Sequence, residues 1–272
     1  MSDGSSMERS FFMKALTLIL AFLFAAGAVN TDGAVSRRAV SDEQIVAQGQ
    51  LVASGTYIEI YQHGVRVEPA LLKIMESAYE QVQKTTGLKL DTATLGAKVR
   101  VYVSDAIAIS HVWKGYQHPR DPKAIIFLNA RAYQGAMSGQ NATYIHELTH
   151  LFTWRYNSHT LREGFADYVA LKILPGAAVG PNPAGESPAQ IPTEVLEYLG
   201  TAKPPPEWAS TDPVKRRAYY FASYRFVKFL VEAKDIETFM KLYMSGKPET
   251  DIKGLYGIDR DEAIKAALAA KS

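Results

Sequence analysis

Apolar residues recur at every second position in the first half of the chain and at every third or fourth in the second. Thr56-Tyr-Ile-Glu-Ile-Tyr61 alternates as a half-buried strand does, and Lys98-Val-Arg-Val-Tyr-Val103 repeats the pattern. Ala124-Ile-Ile-Phe-Leu-Asn129 reads as a third, more uniformly apolar strand. Between the first two, Leu72, Met75, Ala78, Tyr79 and Val82 have the spacing of one face of a helix from Pro69 to Lys84. From Asn141 the period is almost entirely helical, over Asn141 to Tyr156, Leu161 to Ile173, Pro192 to Gly200, Asp212 to Glu232, Ile236 to Met244 and Asp261 to Ala270. A sheet followed by a helix cluster predicts an α+β architecture, with a sheet-containing half over 51–157 and a helical half over 158–272. Two aperiodic stretches, Pro175 to Pro192 and Lys203 to Glu207, read as rims or lids.

Near the start, Arg9 and Lys14 flank an uncharged apolar run from Ala15 to Val29, and Ala26-Gly27-Ala28 has the small-x-small form of a leader-peptidase site. Residues 1–28 read as a signal peptide cleaved after Ala28. A retained anchor is the alternative, although the run falls short of the roughly 20 residues that span a bilayer. Residues 29–50, polar and rich in small side chains with room for one short helix, read as a linker, which leaves 51–272 as the domain. Lys plus Arg is 30 against 28 Asp plus Glu, a net charge of +2 with no basic block, so nothing calls for a nucleic acid partner. Cysteine is absent. Disulfides, thiolate metal sites and thiol catalysis are therefore excluded, and chemistry is left to His, carboxylates, Ser, Lys and Tyr. Export without cysteine suits a bacterial periplasm or the exterior.

The segment that carries chemistry is Asn141-Ala-Thr-Tyr-Ile-His146-Glu147-Leu-Thr-His150-Leu-Phe. His146 and His150, four apart, lie one helical turn above each other, where two imidazoles can bind one zinc ion. Glu147 points beside that face and can reach a water on the metal rather than the metal itself, the place of a general base for hydrolysis. The bland alternative is a partly exposed helix whose histidines are only polar surface. With twelve residues between His150 and Glu163, Leu161-Arg-Glu163-Gly-Phe-Ala-Asp167-Tyr168 begins a second helix whose Glu163 can be a third ligand. Three protein ligands plus water is the arrangement of a catalytic zinc. Asp167, one turn on, can accept a hydrogen bond from the outer nitrogen of a ligand histidine. Read blandly, Glu163 is a carboxylate favoured by the helix dipole.

His146-Glu-Leu-Thr-His150 followed by Glu163-Gly-Phe-Ala-Asp-Tyr168 resembles the gluzincin metallopeptidases, specifically the bacterial peptidase-MA-like group related to thermolysin and the M1 aminopeptidases. The likeness extends weakly to Ala218-Tyr-Tyr220-Phe-Ala-Ser-Tyr224, which is similar to a tyrosine-bearing helix of that group. It implies a thermolysin-like zincin fold, an N-terminal twisted sheet on the active-site helix with a C-terminal helical subdomain as the other wall. It also implies one zinc per chain held by His146, His150 and Glu163, Glu147 as base, and Asp167 behind a ligand histidine. The ligand spacing is shorter than in the large aminopeptidases and their Gly-x-Met-x-Asn motif is missing, so aminopeptidase specificity is not implied.

In this family a Tyr or His beyond the third ligand stabilises the oxyanion. Tyr220 and Tyr224, at i and i+4, are the candidates, Tyr220 preferred on the family pattern, with aromatic packing the alternative for both. Gluzincins bind peptides in extended form against an exposed strand, which points to Ala124–Asn129, with Asn129 and Ala130 at its end, as the substrate edge; an ordinary core strand is the alternative. His63, His111 and His118 lack a second ligand at metal spacing and read as surface residues. His159, between the two motifs, is the partial exception, as a rim residue that contacts substrate. The expectation is an exported zinc metallopeptidase acting on a peptide or protein, without a membrane span once the leader is removed. The alternative is an exported zinc-binding domain that holds a peptide or cell-wall component and hydrolyses little or nothing.

Overall fold

A sheet built before residue 130 and a set of helices built after it divide the fold between them. The computed structural model describes residues 40–113, 122–181 and 190–270. The leader reading of 1–28, the front of the linker and His118 lie outside the described residues.

Residues 41–50, read as linker with room for one short helix, hold that helix and lead straight into the sheet. Helix α1 (Asp42–Gln48) is closed by a capping box in which Ser41 Oγ accepts from the Gln44 N–H while the Gln44 side chain accepts from the Ser41 N–H. Its Ile45 is buried, and strand β1 (Gln50–Ser54) follows at once. The domain begins at Ser41, in the compact unit Ser41–Ser272.

The remaining strands are β2 (Ile58–His63), β3 (Val99–Ser104), β4 (His111–Val112) and β5 (Ile125–Asn129), in the order β1-β2-β3-β5-β4. Strands β2, β3 and β5 run parallel, and β1 and β4 pair antiparallel at the two edges. The first parallel connection is made by α2 (Ala70–Thr86) and the short α3 (Thr92–Leu95). Because side chains alternate between faces, register sorts them into rows. Ile60, Val101, Ile126 and Val112 form one row, on the face that packs on α2 through Leu71, Met75, Ala78 and Val82. Tyr61, Tyr102, Phe127 and His111 form the row on the other face, ring against ring at 4.6, 5.8 and 4.9 Å.

The helical part comprises α4 (Ala130–Ser138), α5 (Thr143–Phe152), α6 (His159–Ile173), α7 (Thr193–Leu196), α8 (Trp208–Thr211), α9 (Pro213–Ala233), α10 (Ile236–Tyr243), α11 (Pro248–Tyr256) and α12 (Arg260–Ala269). The architecture is α+β. Helices α4 and α11 were not predicted, and the helix expected over 192–200 is a single turn. Among the described residues no helix is long and apolar enough to cross a membrane.

Candidate metal centre

Helix α5 is shorter than its sequence period predicts because both ends are closed locally. The Asn141 side chain accepts from the Thr143 N–H at the start, and Thr153 leaves helical geometry at the end. All ten residues of α5 are buried. The reading of its histidines as polar surface is thereby excluded. His146 and His150 stack edge to face, 4.5 Å between ring centroids.

The Ser158 side chain caps α6, which brings Glu163 within its second turn and Asp167 one turn further. Glu163 Oε2 lies 3.3 Å from His146 Nε2 and 3.4 Å from His150 Nε2. Asp167 Oδ1 lies 2.7 Å from His146 Nδ1, a short charge-assisted hydrogen bond. The other oxygen of Glu163, Oε1, accepts from the Arg162 guanidinium at 2.7 Å. Gly164, beside the ligand candidate, serves a helix contact. A Cβ there would stand 2.2 Å from the Ser223 carbonyl oxygen, so the missing side chain admits α9 rather than α5.

Burial at 0–5% exposure makes partners obligatory for these groups. Glu163, despite its burial, is held well below the usual carboxylate range by Arg162 and His150. Burial would lower His146, but Asp167, with Glu163 and Glu147, holds its pKa well above the ordinary imidazole value. His150 has only Glu163 to raise it: burial, then the charge of Arg162, pushes it down to about 3, and its Nδ1 is buried with no hydrogen bond to another described residue. Burial raises Glu147 and Asp167. With His146 neutral, as a metal ligand must be, three ionised carboxylates and one guanidinium leave two negative charges, which a divalent cation neutralises.

The residues fit such an ion. His146, Glu147 and His150 form a buried group able to hold a metal, each with a ligand atom within 4.8 Å of the others. Glu163 Oε2 stands with them. Its separations of 3.3 and 3.4 Å from the two imidazole nitrogens exceed the 2.7–3.2 Å of ordinary N–H···O bonds. They match the edge of a tetrahedron, about 3.3–3.4 Å, whose bonds are the roughly 2.0–2.1 Å of zinc to nitrogen or oxygen.

No family model and no curated protein matches the chain. The functional reading therefore rests on this geometry and on the motif.

Of the two tyrosines, Tyr220 lies at the centre. Its ring is 6.4 Å from that of His146, and burial followed by Glu163 and Asp167 raises its pKa well above 10. Tyr224, one turn on, is half-buried and faces Lys228 and Glu232 more than the centre.

The substrate edge was misassigned. Strand β5 has a partner on each side, β3 and β4, so it offers no open edge. Asn129 caps α4 through the Ala132 N–H and also donates to the Ala108 carbonyl, and Ala130 is the first residue of that helix. The edge on this side is β4, where His111 Nε2 meets the Asp42 carboxylate at 3.0 Å. His63 bonds Ser104 and Gln48 instead of the centre.

Three further residues stand at the centre. Arg162 holds Glu163, His159 Nε2 lies 3.5 Å from the same Oε1, and the Tyr219 hydroxyl bonds His159 Nδ1 at 2.8 Å. His159 thus faces the carboxylate in addition to the rim. No spacing rule finds Arg162, because neighbours at i and i+1 do not face each other on a helix.

Proposed function

We propose that the chain is a zinc metallopeptidase of the gluzincin type, on a thermolysin-like plan of sheet, metal-bearing helix and helical second half. One observation carries the reading: a single oxygen of Glu163 stands at tetrahedral spacing from two buried imidazoles, with Glu147 beside them in the same buried group. A structural site closes all four positions with protein ligands, whereas three ligands and a neighbouring carboxylate suit a catalytic one.

His146, His150 and Glu163 hold one zinc ion, which when bound supplies Lewis acidity that polarises the scissile carbonyl and makes water more acidic. Asp167 accepts a hydrogen bond from the Nδ1–H of His146, which fixes the tautomer with the Nε2 lone pair toward the ion. Glu147 removes a proton from the attacking water. The water oxygen bonds to the carbonyl carbon, the C–N bond breaks, and the same proton passes from Glu147 to the departing amine nitrogen. Burial raises Glu147 toward the range in which accepting and returning a proton are both easy. Tyr220 donates its hydroxyl to the oxyanion, and its raised pKa keeps that proton in place at any working pH. An extended substrate adds to the sheet at β4, not at β5.

The test is elemental analysis of zinc in the purified protein, alongside hydrolysis of a mixed peptide library by wild type and Glu147→Ala. One zinc per chain in both, with cleavage lost by about 10²–10⁴-fold in the variant, is the expected result. Zinc in both with no cleavage in either replaces this reading with that of a binding domain.

A further inference from the structure

We propose that Arg162, supported by His159 and Tyr219, is a positioning residue that leaves Glu163 a single oxygen with which to bind the metal. The proposal rests on the zinc reading above and concerns a group outside its ligand set.

A carboxylate can bind a cation through one oxygen or both. In Glu163 the two oxygens are assigned differently before any ion arrives. Oε2 faces the two imidazole nitrogens, while Oε1 takes the guanidinium at 2.7 Å and looks at His159 Nε2 at 3.5 Å. Adjacent residues on a helix do not face each other, so this contact needs a reason. Arg162 runs back along α6 and its guanidinium lies over the Tyr156 ring, 4.9 Å from its centre, which fixes it in the plane from which it meets Oε1. With the proton of His159 on Nε2, toward the carboxylate, Nδ1 is the acceptor for the buried Tyr219 hydroxyl at 2.8 Å. The chain from Tyr219 through His159 to Oε1 and the fork of Arg162 thus converge on one oxygen. The other is the only one of the pair turned to the histidines.

The consequence is a ligand oriented in advance, as outer partners orient metal-binding histidines elsewhere. The opposing effect is electrostatic, since a cation beside the ligand weakens its pull on zinc. Zinc affinity decides between them, and it is readable without any substrate. Metal-free wild type, Arg162→Met, Arg162→Lys and Tyr219→Phe are titrated with zinc against a competing chelator, with the visible spectrum of each cobalt(II) form recorded and folding checked by circular dichroism.

Arg162→Met is expected to bind zinc about 10–100-fold more weakly, with an altered cobalt spectrum. Arg162→Lys recovers only part of the loss, because an ammonium keeps the charge but not the planar fork. Tyr219→Phe, which removes one hydroxyl, weakens zinc a few-fold. Affinity in Arg162→Met equal to or tighter than wild type, with an unchanged cobalt spectrum, overturns the proposal. If Arg162→Met does not fold, Tyr219→Phe decides in the same way. Wild type that takes up no zinc overturns the metal reading itself, an outcome distinct from a wild type that binds and variants that do not differ.

Discussion

The two walls of the candidate site are held by different physics. On the α5–α6 wall, charged groups lie in a dry interior, and each contact there, Asp167 on His146 or Arg162 on Glu163, answers a group that burial would otherwise leave unpaired. The β4 wall is two residues long, paired on one side only, and anchored by a partly exposed contact between His111 and Asp42. On the proposed reading, the first wall sets what a bound metal would meet, and the second offers a substrate its backbone. Substitutions on the first wall should therefore change metal affinity or chemistry outright, and those on the second should change only how substrate is held.

The largest break in that contrast comes from Glu163→Gln. It removes the oxygen charge shared by both imidazoles and should weaken zinc by more than about 100-fold, beyond the loss expected for an outer partner, as measured by chelator competition. Next, Tyr220→Phe should lower kcat on the order of 10²-fold with zinc content unchanged, whereas Tyr224→Phe stays near wild type in the same peptide assay. Comparable losses in both would remove Tyr220 from the oxyanion role.

The pH dependence of the metal-free protein sharpens the first wall further. His150 has its folded pKa depressed to about 3, so below the ordinary imidazole value the unfolded chain takes up a proton that the folded chain refuses. Stability then falls with pH, by up to about 1.4 kcal/mol per unit, from roughly 6.5 down to the folded pKa. His146 has its folded pKa raised and contributes in the opposite sense: its share is fully present below the unfolded value and is lost as pH rises through the folded one. Urea titrations of metal-free wild type and His150→Leu across pH 4–7 separate the two, the variant losing the acid-side slope. An unchanged slope would show that His150 is not the group responsible.

The smallest effect belongs to the second wall. Asp42→Asn should cost about 1–2 kcal/mol of stability and raise KM less than tenfold, with zinc affinity unaltered. A change in metal affinity would mean the two walls are not separate.

What could be read from the sequence follows the range of the interactions. His146, Glu147 and His150 were legible because a helix fixes i and i+4 side by side whatever surrounds it. Glu163 and Asp167 needed only a second helix in reach of the first. Arg162 was not legible, since its contact depends on a guanidinium folding back over Tyr156. Strand β4 is too short to leave a period, so β5 was taken for the edge. Its unbroken apolar run, Ile125 to Leu128, was in fact the sign of a strand covered on both faces. The start of the domain was present but overlooked: Ser41 followed three residues later by Gln44 is a capping-box signature. Asn129 and Gly139, likewise, bracket α4 with a cap and a left-handed stop. Tyr220 and Tyr224 share a helix face, and only their depth along α9 separates them.

Gly164 gives the cleft a fixed gauge. With no side chain on Gly164, α6 meets α9 at main-chain atoms of Ser223 and at the Val227 side chain, and that contact sets how far the Tyr220 ring stands from His146. A side chain at position 164 would force the two helices apart and widen that gap, whatever the rest of the α9 surface carries.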